Sequence, residues 1–112
     1  MKIALPVANK KLCMHFGHCD EFQIMDVDCE KKKILETTSV GAPPHAPGLL
    51  PKWLAEREVN VVIAGGMGMR AQNLFQEANI KVIVGAPQGN PEELVANYLN
   101  NKLETGSNIC DH

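Results

Sequence analysis

The stretch Val59-Asn60-Val61-Val62-Ile63-Ala64-Gly65-Gly66-Met67-Gly68 decides the fold class. Its first six residues form a nearly continuous apolar run, as expected of a strand buried on both faces. The glycines break that run at once. Ala71, Leu74, Phe75 and Ala78 then recur on one side of a helix. The same grammar repeats downstream. Ile80 to Val84 reads as another buried strand, and Gly85-Ala86-Pro87-Gln88-Gly89 as a turn. Asn90 is a suitable N-cap, Pro91 suits the first helical position, and Glu93 completes a capping box. Leu94, Val95, Tyr98, Leu99 and Leu103 give this last helix its buried stripe.

Upstream the period is different. Ile3, Leu5 and Val7 alternate with Lys2, Ala4 and Pro6, which predicts a strand. Nothing is periodic from Asn9 to Asp20, so this segment reads as a loop. Glu21 to Asp28 and Lys33 to Val40 read as two strands joined by a polar turn, hence a hairpin. Gly41 to Gly48 is a loop rich in proline and glycine. Leu49, Leu50, Trp53, Leu54 and Arg57 follow at helical spacing, with Pro51 tolerated in the first turn. The order is β-β-β-α-β-α-β-α. It predicts an α/β protein built on a mixed five-stranded sheet with flanking helices. Residues 1–103 form one domain in this reading, and Glu104 to His112 a polar tail, mobile by default.

The totals narrow the function. At 112 residues the chain fits one core. A formal net charge of −2 gives no basic face for nucleic acid. No apolar run approaches the ~20 residues of a membrane span, and the first residues lack a signal-peptide pattern. The expected compartment is the cytoplasm. Four cysteines there read as thiols or ligands rather than a disulfide framework.

The chemistry concentrates in Cys13-Met14-His15-Phe16-Gly17-His18-Cys19. Thiolate and imidazole together suit zinc, copper(I) and iron–sulfur species. The plainer reading is a loop whose His15 or Phe16 plugs the core. Adjacent residues such as His18 and Cys19 diverge, so all four donors are not expected on one ion. His45 is either a second-loop ligand or solvated. Cys110 and His112 can fold back as further ligands, a frayed tail being the default. Met67 and Met69 read as packing. Cys29, in a turn, is given no chemical role.

Right-handed crossovers would make the two later strands parallel to the first. Four loops then open at one sheet edge: Asn9–Asp20, Gly41–Gly48, Gly65–Gly68 and Gly85–Gly89. The carboxyl edge of a parallel sheet is the usual ligand edge. Three of these loops feed helix N-termini, which carry unsatisfied N–H groups and partial positive charge. Gly66 and Gly68 allow close approach, and Arg70 adds a cation. Gly65 to Gly68 is either an anion cradle or only a tight turn. No Walker loop, Rossmann G-x-G-x-x-G, serine elbow or multi-strand carboxylate set is present.

His15-Phe16-Gly17 with Phe22, and Gly65-Gly66-Met67-Gly68-x-Arg70-Ala71 with Phe75, resemble the dinitrogenase iron–molybdenum cofactor biosynthesis family. That family includes NifX-type proteins, the C-terminal domain of NifB and the molybdenum–copper orange protein. The resemblance spans roughly Lys2 to Leu103. It implies a ribonuclease H-like fold and a binding role without established catalysis. His15, Gly17, Gly65, Gly66, Gly68 and Arg70 match the family's motifs, and His45 falls where several members carry a histidine. Cys13, Cys110 and His112 lie outside the general pattern.

The leading expectation is a cytoplasmic carrier of an iron–sulfur, molybdenum–iron–sulfur or molybdenum–copper–sulfur cluster. It is a monomer or homodimer working with donor and acceptor proteins, not a nucleic-acid or membrane protein. Cys13, His15, His18, Cys19 and His45 supply contacts to the metal, and Gly66, Gly68 and Arg70 stabilise its charge. The rivals are a zinc-binding or small-anion enzyme or sensor using the same edge, and a protein-interaction module.

Overall fold

The computed structural model describes residues 1–13, 19–42 and 49–103. The chain runs β1 (Lys2–Ala8), β2 (Lys11–Leu12), β3 (Glu21–Asp28), β4 (Lys33–Gly41), α1 (Leu49–Glu56), β5 (Val61–Ile63), α2 (Met69–Glu77), β6 (Lys81–Ile83) and α3 (Pro91–Leu99). Five strands lie in the order β4-β3-β1-β5-β6, and β2 pairs with β1. β1 is antiparallel to β3 and parallel to β5, which is parallel to β6. The mixed α/β architecture agrees with the sequence reading.

The central position of β1 explains its composition. It has neighbours on both edges and a helical layer over each face, so Ile3 through Val7 are buried. Ile3 and Leu5 face one layer with Met25, Val27, Val61 and Ile63, covered by Leu94, Val95 and Leu99 of α3. Ala4 faces the other with Phe22, Ile24 and Val62, covered by Leu54 of α1 and Phe75 of α2. α3 therefore packs on one side of the sheet, and α1 with α2 on the other. Among the described residues no helix is long and apolar enough to cross a membrane.

Several expectations need correction. The sheet has six strands, not five, because Lys11–Leu12 pairs antiparallel with Ala8 and Val7. Asn9 and Lys10, at φ 54° and 65°, form the two-residue turn. A two-residue strand carries no readable period, and Asn-Lys lacks the usual glycine of such a turn. β6 is an edge strand and only partly buried. Arg57 lies past the end of α1, and Leu103 past the end of α3, although Leu103 still packs on the core.

The helix ends have one cause. After α1, Val59 N–H donates to the Leu54 carbonyl at 3.2 Å and Glu58 N–H to that of Ala55 at 3.0 Å. After α2, Ile80 donates to Phe75 at 2.9 Å and Asn79 to Gln76 at 3.0 Å. After α3, Lys102 donates to Asn97 at 2.7 Å and Asn101 to Tyr98 at 3.1 Å. Each is a Schellman motif, with Glu58, Asn79 and Asn101 in the left-handed region. At the other end of α3, the Asn90 side-chain oxygen accepts from Glu92 N–H at 2.8 Å, as its N-cap role requires.

Candidate functional site

β4 is antiparallel to β3, and β3 to β1, so β4 runs the same way as β1, β5 and β6. The segments following these four strands leave from one sheet edge, as the sequence predicts. Main-chain hydrogen bonds join what is described of them. Leu12 N–H donates to the Gly89 carbonyl at 2.9 Å, linking the first segment to the last. Ala42 N–H donates to the Asp20 carbonyl at 3.2 Å, linking it to the end of β4. Gly85 N–H donates to Gly65 at 3.0 Å, and Ala86 N–H to Ala64 at 3.2 Å, joining the two glycine turns.

The Cys13–Cys19 segment is anchored at both ends on consecutive carbonyls of β1. Cys13 N–H donates to Pro6 at 2.8 Å and Asp20 N–H to Val7 at 3.0 Å. Consecutive strand carbonyls point to opposite edges of the strand. Val7 itself pairs with Glu21 on one edge and Leu12 on the other. Cys13 is thus held on the β5 side of β1 and Asp20 on the β3 side. β2 lies beside Val7 and Ala8, in line with β5, which pairs lower down at Ile3 and Ala4.

Of the predicted contacts, Cys13, Cys19, Gly66, Gly68 and Arg70 are described. His15, His18, His45, Cys110 and His112, with Gly17, lie outside the described residues. Cys13 is buried and lines an open recess of about 430 Å³ with Ala8, Asn9, Lys11, Leu12 and Gln88. Cys19 is half-buried and packs on the layer that holds Phe22, Met67 and Phe75. Among the described residues no group of three or more His, Cys, Asp or Glu is gathered to hold a metal ion. Cys29 is exposed in the hairpin turn, its Sγ 3.9 Å from Met1 Sδ.

Gly68 is the N-cap of α2, at φ −66° and ψ 155°. Any residue adopts that conformation, and among the described residues a Cβ there would meet no atom within 4 Å beyond its chain neighbours. Neither strain nor packing calls for glycine, so what it provides is open space over the helix N-terminus. The first turn of α2 has no acidic residue and no side-chain cap, and Arg70 is exposed there. A cation at the positive end of a helix is unfavourable for the helix and favourable for a bound anion. Gln72 steadies the preceding turn, its Nε2 donating to the Met67 carbonyl at 2.9 Å. Met67 is buried, as its packing role requires, whereas Met69 is exposed.

Sequence reasoning missed Lys11 and Gln88, which line the recess beside Cys13. Neither residue type is distinctive in isolation. Only the pairing of β2 with β1 and the Leu12–Gly89 bond bring them to one place.

The comparisons with known proteins agree with this architecture. Protein MJ0580 of Methanocaldococcus jannaschii is 31% identical over 107 residues, spanning 93% of this chain and 90% of its own. The crystal structure of PH0822 matches with a TM-score of 0.86 at 23% identity, over 94% of both chains. The apo orange protein of Desulfovibrio gigas matches with a TM-score of 0.72 at 20% identity, over 96% of this chain and 93% of its own. These structural likenesses carry the fold. The model of the dinitrogenase iron-molybdenum cofactor family matches residues 1–101, a span that includes both motifs and every strand and helix described above. The chain belongs to that family.

Proposed function

We propose that the protein holds and passes on a metal–sulfur cluster at the carboxyl edge of its sheet. The cargo is of the iron–sulfur, molybdenum–iron–sulfur or molybdenum–copper–sulfur class, and donor and acceptor proteins are its partners. One observation carries the reading: the segment bounded by Cys13 and Cys19 is fixed at both ends on β1, at the edge where two glycine turns are joined. Family membership and the orange-protein likeness support it. In this reading Cys13, Cys19, His15, His18 and His45 supply sulfur and nitrogen donors. Main-chain N–H groups at Gly66 and Gly68, with Arg70, offset the cluster's negative charge. The open space at Gly68 leaves the start of α2 approachable. The protein's own part is to bind, shield and release, and no residue is given a catalytic role.

The test is reconstitution without oxygen, followed by a visible spectrum and metal and sulfide analysis of the same sample. Sulfur-to-metal charge-transfer bands with stoichiometric iron, or molybdenum with copper, are expected. Cys13→Ala combined with Cys19→Ala is expected to lower loading, and unchanged stoichiometry and spectrum would remove the thiolates from the site. A colourless protein holding one zinc per chain would overturn cluster binding.

A further inference from the structure

From Lys2 at the start of β1 to Val40 near the end of β4 runs a trough of about 350 Å³ that the carrier reading does not use. Its floor is built by sheet register. Lys2, Asp26 and Glu36 are successive cross-strand partners on β1, β3 and β4, and Ile24 pairs with Thr38 in the next row. They share the face of Ala4 and Phe22, which α1 covers only in part. Arg57, just past α1, forms the wall.

Arg57 is fixed before any ligand arrives. Its guanidinium lies 3.9 Å from the centroid of the Trp53 ring, and its Nη1 donates to the Trp53 carbonyl at 3.2 Å. Trp53 in turn packs against Phe22, with ring centroids 5.6 Å apart. A guanidinium carries five N–H donors, so most of its fork remains for a carboxylate. Lys2 already faces Glu58 at 3.6 Å, and Asp26 faces the terminal ammonium at 3.7 Å. Glu36 and Arg57 have no ion-pair partner among the described residues.

We propose that this trough binds a zwitterion of the amino-acid or short-peptide class with an aliphatic side chain. Arg57 takes the carboxylate, Glu36 the ammonium, and Ile24 with Val40 the side chain. The charges select against simpler ligands. An anion alone would meet Asp26 and Glu36, and a cation alone would meet Lys2 and Arg57. The preformed Arg57–Trp53 stack lowers the ordering cost of binding.

Trp53 is the only tryptophan of the chain and stacks on Arg57, the residue proposed to take the carboxylate, so its emission reports occupancy. The experiment titrates the full chain with leucylglycine, following Trp53 emission and the backbone amide resonances of residues 36–40 and 57. Saturable shifts at both places are expected. Arg57→Gln and Glu36→Gln are each expected to weaken binding at least tenfold. Glu36 is exposed on an edge strand, so its variant keeps the fold. N-acetyl-leucine and leucinamide, each missing one charge, are expected to bind correspondingly less well. Absence of saturable binding, binding unchanged in either variant, or inorganic phosphate binding as tightly as leucylglycine would overturn the assignment.

Discussion

Leu12 is tied to Gly89: its N–H donates to the Gly89 carbonyl at 2.9 Å while its side chain is fully buried against the α3 layer. One residue thereby fastens the start of the cysteine segment both to the core and to the last glycine turn. Leu12→Ala is expected to cost about 2–5 kcal/mol through lost burial and a residual cavity. Urea unfolding measures it. A loss below about 1 kcal/mol would mean that β2 is not docked as described.

Gly68→Ala separates space from stability. Alanine is a poorer N-cap than glycine, but it restricts the unfolded chain, a gain of about 0.4–1 kcal/mol. With no atom of the described residues within 4 Å of the new methyl beyond its chain neighbours, the two effects nearly cancel. The unfolding midpoint is therefore expected to hold while cluster loading falls. Loading equal to that of the parent protein would show that the cargo does not occupy the space above Gly68.

Lys10→Gly addresses the β1–β2 turn. Lys10 holds φ 65° in the second position of a two-residue hairpin loop, where glycine is favoured. Left-handed backbone costs an L-residue roughly 1–2 kcal/mol, and glycine's greater freedom in the unfolded chain returns part of that. A net gain of about 0.5–1 kcal/mol is expected in denaturant melts. A loss of stability would contradict the turn geometry.

Asn90→Ala removes the oxygen that accepts the Glu92 N–H. The expected cost is about 1 kcal/mol, read as a lower thermal midpoint. Asn90→Ser is expected to recover most of it, because serine presents an equivalent acceptor.

The legible part of the fold was the part whose side chains repeat. Val61 to Ile63 is apolar at every position because both faces are covered, and Glu21 to Asp28 shows its period because neighbouring residues enter different layers. Lys11 and Leu12 could not be read that way. Their strand exists because β5 pairs with β1 only at Ile3 and Ala4, leaving the edge at Val7 and Ala8 to another partner. The site divides similarly. The loop edge followed from strand direction, and the place of Arg70 in the first turn of α2 from the glycines before it. The recess shared by Cys13, Lys11 and Gln88 arises from long-range backbone bonds that no local pattern encodes. Arg57 carried a helical-stripe reading, whereas its guanidinium stacks on Trp53 beyond the helix end.

The two clasps on β1, Cys13 to Pro6 and Asp20 to Val7, make the intervening segment an exchangeable cassette. Both clasps are main-chain hydrogen bonds, which any residue types other than proline at positions 13 and 20 can make. Doubling the length of such a closed segment costs only about 0.6 kcal/mol of chain entropy. The clasps on β1 can therefore stay closed while the length of the segment between them varies.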